Sequence, residues 1–149
     1  MITEVGKHKV QCQDIMGGID HLMGNDLADF VYSDPPWGQG NLKYWQTINN
    51  RNTGEDKNKI EYVDFLHQYF SILQNYLKDV AIIEYGEQWR DDIKMIVQEY
   101  GFHHHGSCTS LYASGSKLYP VDIHLISIKD RYNKNFLFYL FENCLLLIF

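Results

Sequence analysis

The sequence predicts an α/β fold, a mostly parallel sheet finished by a C-terminal antiparallel hairpin, and three observations carry that prediction. Two short runs rich in apolar and β-branched residues, 27–33 and 79–86, have the near-continuous hydrophobicity of strands buried on both faces of a sheet. A strongly amphipathic helix separates them and a second helix follows, which is the pattern of a right-handed crossover between parallel neighbours. Two alternating runs, 102–113 and 120–128, are then joined by the turn-rich Ser114-Gly115-Ser116-Lys117, as in a hairpin.

Taken in order, residues 7–13 alternate weakly through Val10 and Cys12, enough for a short strand. Asp14 is placed to cap a short helix whose apolar face is Ile15, Ile19, Leu22 and Met23; Gly17 and Gly18 weaken it and Gly24-Asn25 ends it. The run 27–33 stops abruptly at Asp34-Pro35-Pro36-Trp37-Gly38-Gln39-Gly40. Proline lacks an amide hydrogen and pushes the residue before it to extended geometry, so Asp34 and Pro35 are held out of a following helix. Their carboxylate and carbonyl become fixed acceptors at the carboxyl end of a strand, where open α/β sheets keep their sites. Residues 38–59 lack periodicity and are rich in Gly and Asn, which predicts a polar loop of about twenty residues. Tyr44 and Trp45 inside it either stack on a base or fold back on the core.

Periodicity returns with Tyr62, Phe65, Leu66, Tyr69, Phe70, Leu73, Tyr76 and Leu77, a wide apolar helical face that packs on the sheet. Glu84 and Glu87 fall at the carboxyl end of the second strand, on the same edge as Asp34, where solvated loop acids are expected ahead of substrate contacts. Trp89, Ile93, Ile96, Val97 and Tyr100 mark the next helix, closed by Gly101. In the hairpin, Val121, Ile123 and Leu125 face one way and Asp122 and His124 the other. The consecutive His103, His104 and His105 alternate across a strand and cannot converge on one ion, so no metal site is expected.

Asp34-Pro35-Pro36-Trp37 resembles the catalytic motif of S-adenosylmethionine-dependent amino-methyltransferases, which modify the exocyclic nitrogen of adenine or cytosine in nucleic acids. The resemblance covers residues 7 to 129 and implies a Rossmann-like methyltransferase sheet, with Asp34, Pro35, Pro36 and Trp37 as the catalytic set. The chemistry of the residues agrees. An exocyclic amino group is a poor nucleophile because its lone pair is delocalised into the ring, and oriented acceptors on its hydrogens favour the form that can attack. Trp37 would offer a π face to an extruded base. The resemblance further implies S-adenosylmethionine as cofactor, held by Asp14, Ser33 and Asp34, and a substrate surface of Gly38, Tyr44 and Trp45. The partner is then nucleic acid, DNA ahead of RNA, or a nucleobase compound.

One expected part is not found. In the family a glycine-rich turn after an apolar strand wraps the methionine end of the cofactor, and no such Gly-x-Gly follows an apolar strand in these 149 residues. The sheet is therefore expected to be incomplete, as in a shortened relative. The division is residues 1–130 as the catalytic half and 131–149 as an almost wholly apolar tail, a truncation remnant or an interface for a homo- or hetero-oligomer. The tail is shorter than the roughly 20 residues that span a bilayer. Net charge is -6, which opposes sequence-independent attraction to a polyanion. Three scattered cysteines and an N-terminus without an apolar leader point to the cytoplasm. Three function classes stand: an active amino-methyltransferase, a methyltransferase-like binding module completed by a partner, or an enzyme of the same sheet class acting on a small nucleobase compound.

Overall fold

The computed structural model describes residues 2–11, 15–54, 60–114 and 116–128. Strands β1 (Thr3–Val5) and β2 (His8–Val10) form a separate antiparallel hairpin. The expected first strand thus exists but does not enter the main sheet. A 3-10 turn (Ile15–Gly17) and the four-residue α1 (Asp20–Met23) replace the expected single helix. They are split at Gly18, whose φ of 79° belongs to the left-handed region that glycine tolerates. This segment is stitched to the core by the Tyr76 hydroxyl, which accepts from the Ile19 amide and donates to Asp20.

The main sheet has the order β3-β4-β6-β5, from β3 (Ala28–Ser33), β4 (Leu77–Gly86), β5 (His103–Ser114) and β6 (Lys117–Ser127). β3 and β4 are parallel, with Ser33 opposite Ile83, while β4–β6 and β6–β5 are antiparallel. The α/β class, the parallel pair across a helical crossover and the C-terminal hairpin all follow the sequence reading. Helices α3 (Tyr62–Tyr76) and α4 (Arg90–Glu99) supply the layer above. Alternation sends Ala81, Ile83 and Tyr85 into that layer, where they meet Phe65, Leu66, Tyr69, Phe70, Ile93 and Val97. Val80, Ile82, Ile123 and Leu125 form a smaller cluster on the other face.

Two expectations are corrected. The run 27–33 was expected to be buried on both faces, yet Phe30 and Tyr32 are about half exposed, at 46% and 55%. The reason is position: among the described residues β3 pairs with β4 alone, and its helix-facing residues are Val31 and Ser33. Second, most of the predicted loop is the helix α2 (Gln39–Thr53). Its sequence gives little amphipathic signal because only Leu42 is buried along it. Its hold on the fold is polar: the Gln39 side chain accepts from the Tyr62 amide and donates to the Ile60 carbonyl. Residues 55–59 of the loop, Asp14 and the tail from 129 lie outside the described residues. Among the described residues no helix is long and apolar enough to cross a membrane.

Candidate active site at the strand ends

The motif is anchored from both sides. The Trp37 carbonyl accepts from the Gly86 amide at 3.0 Å, tying the end of β3 to the end of β4. The Pro36 carbonyl accepts from the Tyr62 hydroxyl at 2.7 Å, tying it to α3. Burial drives the Tyr62 phenol far above its ordinary range, so it remains a donor. Gly86 has no alternative: a Cβ there would lie 2.3 Å from the Trp37 carbonyl oxygen. Gly38, expected on the substrate surface, instead makes room for the protein's own atoms, since a Cβ there would meet the Trp89 indole nitrogen at 2.9 Å.

Asp34 is exposed and Pro35 buried. The Trp37 indole N–H donates to Asp34 Oδ1 at 2.6 Å, which locks the ring over the carboxylate. A carboxylate has about four lone-pair sites, so one donor does not exhaust it. The Pro36 carbonyl is taken by Tyr62 and the Trp37 carbonyl by Gly86, and Pro35, whose carbonyl would be the acceptor beside the carboxylate, is itself buried. Tyr112 of β5 meets the Trp37 ring edge-on, with centroids 5.4 Å apart. It makes a second aromatic wall that no local motif announces, because it comes from the hairpin 75 residues further along the chain.

Glu84 also belongs here. Ser33 and Ile83 are opposite, so Asp34 follows the end of β3 next to Glu84, which is still within β4. The Tyr32 hydroxyl donates to Glu84 Oε1 across the pair. Burial raises the Glu84 carboxyl above its ordinary range and the Asp34 charge adds to this, against the opposing hydrogen bond from Tyr32. The sequence reading favoured a solvated loop acid at this position; the residue is half-buried and partnered. Ser33 has turned to the helix side, where its hydroxyl bonds Tyr69, whose phenol burial pushes up to about 12. Tyr44 and Trp45 sit exposed on α2, in edge-on contact with each other at 5.4 Å.

A second polar cluster lies inside the sheet. Asp122, fully buried, accepts from Arg90 Nε at 2.5 Å and Nη2 at 2.8 Å and from the Thr109 hydroxyl at 2.8 Å. Its burial favours the protonated form, but the hydrogen bonds from Arg90 and Thr109 outweigh that and hold the carboxyl below its usual range. Beside it His124 shares a 2.9 Å hydrogen bond with His104 and is pushed down to about 4, chiefly by burial and then by His104. Similarly, His105 bonds the Ser127 hydroxyl at 2.6 Å.

No protein-family model and no curated protein sequence matches the chain. Among solved structures it is similar to the M1.HpyAVI–SAM complex, with a TM-score of 0.44, 12% identity, and 80% of this chain and 52% of that one covered. For M1.HpyAVI alone the figures are 0.42, 14%, 78% and 51%. A putative RNA methyltransferase from Pyrococcus horikoshii gives a TM-score of 0.37 at 17% identity, covering 72% of this chain and 78% of that one. The chain thus spans about half the length of the first two.

Proposed function

We propose that the chain holds the exocyclic amino group of adenine or cytosine, in DNA first and RNA second, for methylation with S-adenosylmethionine as donor. The observation that carries this reading is the Asp34-Pro35 acceptor pair, fixed at the carboxyl end of a parallel strand by the two carbonyl anchors and walled by Trp37 and Tyr112. When bound, the sulfonium cofactor supplies an electrophilic methyl group. The chain's own part is to orient the amino hydrogens on the Asp34 carboxylate and the Pro35 carbonyl and to stack the base on Trp37.

The described residues fit the amino-group side better than the donor side. The space a side chain would occupy at Gly38 and Gly86 is filled by Trp89, Gln88 and the Trp37 carbonyl, so neither glycine offers a backbone cradle to a ligand. That observation favours a second reading, a base-binding module whose cofactor site is completed by a partner polypeptide.

Incubating the chain with methyl-labelled cofactor and DNA, RNA or free nucleosides separates the two. Label incorporation that disappears in Asp34→Ala supports the enzyme and identifies the acceptor. No incorporation, together with retained binding of nucleoside, supports the module. Loss of neither label nor binding in Asp34→Ala would remove Asp34 from the site and the proposal with it.

A further inference from the structure

The β5–β6 hairpin outruns the sheet it belongs to. β4 ends at Gly86, which is paired with Val121, while β5 and β6 go on pairing with each other from Leu111 opposite Pro120 to Ser114 opposite Lys117. Those further residues, at roughly 3.3 Å each, make an arm about 13 Å long. β3 and β4 are parallel, so the arm stands beyond the edge where Asp34 lies, and its Tyr112 is the residue that meets the Trp37 ring. Half of the Tyr112 surface stays open, at 50% exposure. The composition of the hairpin also departs from that of the chain. Net charge is -6, yet none of the 19 acidic residues lies between Glu99 and Asp122, and Lys117 is the one Lys or Arg of the two strands. Opposed residues of an antiparallel pair share a face, as do residues two apart. Lys117 is opposite Ser114, two residues beyond Tyr112, so Tyr112 and Lys117 are exposed on one face of the arm, with Leu111 and Leu118 on the other.

A face that carries an aromatic ring and then a cation, cleared of carboxylates and continuous with a base-sized site, suits one class of ligand. We propose that the arm beyond β4 binds the strand that carries the target base, a single-stranded nucleic acid, with the neighbouring base stacked on Tyr112 and a phosphate against Lys117. This rests on the amino-group reading above and names its substrate class, a polynucleotide in place of a free nucleoside. Stacking on an aromatic side chain accepts any base, because every base has a π face. With one cation on the arm, stacking supplies most of the affinity, which lets a chain of net charge -6 hold a polyanion without a basic groove.

The test is equilibrium binding of three ligands to the 149-residue chain: adenosine, a single-stranded pentadeoxynucleotide with adenine at its centre and thymine elsewhere, and its all-thymine counterpart. Wild type is expected to bind the adenine-centred strand about tenfold more tightly than adenosine, the scale of one base stacked on an aromatic side chain. Tyr112→Leu and Lys117→Glu each lower that ratio severalfold, whereas Leu118→Glu, on the opposite face, keeps it. All three positions are exposed, and each variant is judged by its own ratio, so a general loss of adenosine affinity does not mimic the result. A ratio near one in wild type, or a ratio unmoved in both Tyr112→Leu and Lys117→Glu, overturns the proposal. An equal loss in Leu118→Glu overturns it as well, and so does an arm that docks a second copy of the chain, seen as a dimer in sedimentation with the ratio unmoved in the variants. The all-thymine strand reports separately on the amino group: if it binds as tightly as the adenine-centred one, the amino-group reading fails while the arm is still judged by the variants. Failure of both adenosine and the adenine-centred strand to bind at millimolar concentration overturns both.

Discussion

Two carboxylates of one sheet, Asp34 just past the end of β3 and Asp122 on β6, with β4 between them, have opposite environments. Asp122 is wholly buried and answered by its own chain through Arg90 and Thr109. Asp34 is exposed and receives one side-chain donor, the indole of its own motif. A buried charge must be satisfied internally because its desolvation is otherwise prohibitive. An exposed carboxylate on rigidly anchored backbone can keep acceptor capacity for a ligand. The contrast separates polar groups that hold the fold from those that the fold holds out.

The comparison is broken most severely at the satisfied end. Asp122→Ala leaves Arg90 and Thr109 without their acceptor and opens space between β6 and β5. The expected destabilisation is about 3 kcal/mol, at the low end for a broken buried pair because Arg90 retains access to water. Urea unfolding of the variant measures it. A shift below about 1 kcal/mol would mean that Asp122 does not hold the fold.

The same cluster gives a pH dependence with a definite sign. His124 has a folded pKa near 4 against an ordinary 6.5, so the unfolded chain binds the proton more readily. Stability from this group is intact above about pH 6.5, falls as pH drops towards 4, and levels off below it. The full change is about 3 kcal/mol, from some 2.5 units at about 1.4 kcal/mol each. Unfolding midpoints at pH 7, 5.5 and 4 in wild type and His124→Gln separate this contribution from the carboxylates, since the substitution flattens only the histidine part.

At the boundary of the two regions stands Gly86. In Gly86→Ala the added methyl meets the Trp37 carbonyl oxygen at 2.3 Å, too close to be absorbed without moving the motif. About 2 kcal/mol of destabilisation is expected, in the range for overpacking. The more telling readout is Trp37 fluorescence, which should shift as the ring leaves Asp34 and Tyr112. An unchanged spectrum would show that the β4 anchor does not set the indole's position.

How much of this was legible in the sequence follows from where each signal resides. α3 and β4 announce themselves because burial on the sheet imposes period and apolar runs, and the hairpin does so through its alternation. The motif was readable as a rigid acceptor pair because proline chemistry is local. α2 was missed because it buries one apolar residue and is secured by Gln39, which leaves no periodic trace. The exposure of β3 was missed because an edge strand and a central one have the same local composition; only the pairing distinguishes them. Tyr112 and the Tyr32–Glu84 contact were invisible for a related reason, as each joins segments distant in sequence that only the folded sheet brings together. The alternation of Asp122 and His124 opposite Val121, Ile123 and Leu125 was visible, although Arg90 as partner was not.

The smallest effect on stability belongs to the residue expected to matter most for ligand. Asp34→Ala removes one exposed hydrogen bond, and the freed indole N–H can turn to water, so the unfolding midpoint should move by no more than about 0.5 kcal/mol. Adenosine binding should nevertheless fall by tenfold or more, because no second side chain replaces the acceptor for the amino hydrogens. Asp122→Ala is expected to show the reverse order, a large loss of stability with nucleoside affinity unchanged under conditions where the variant is folded. Measuring both quantities on both variants tests the distinction directly. If Asp34→Ala destabilises the chain as much as Asp122→Ala does, the carboxylate is a structural group, and the site must be sought elsewhere on the sheet edge.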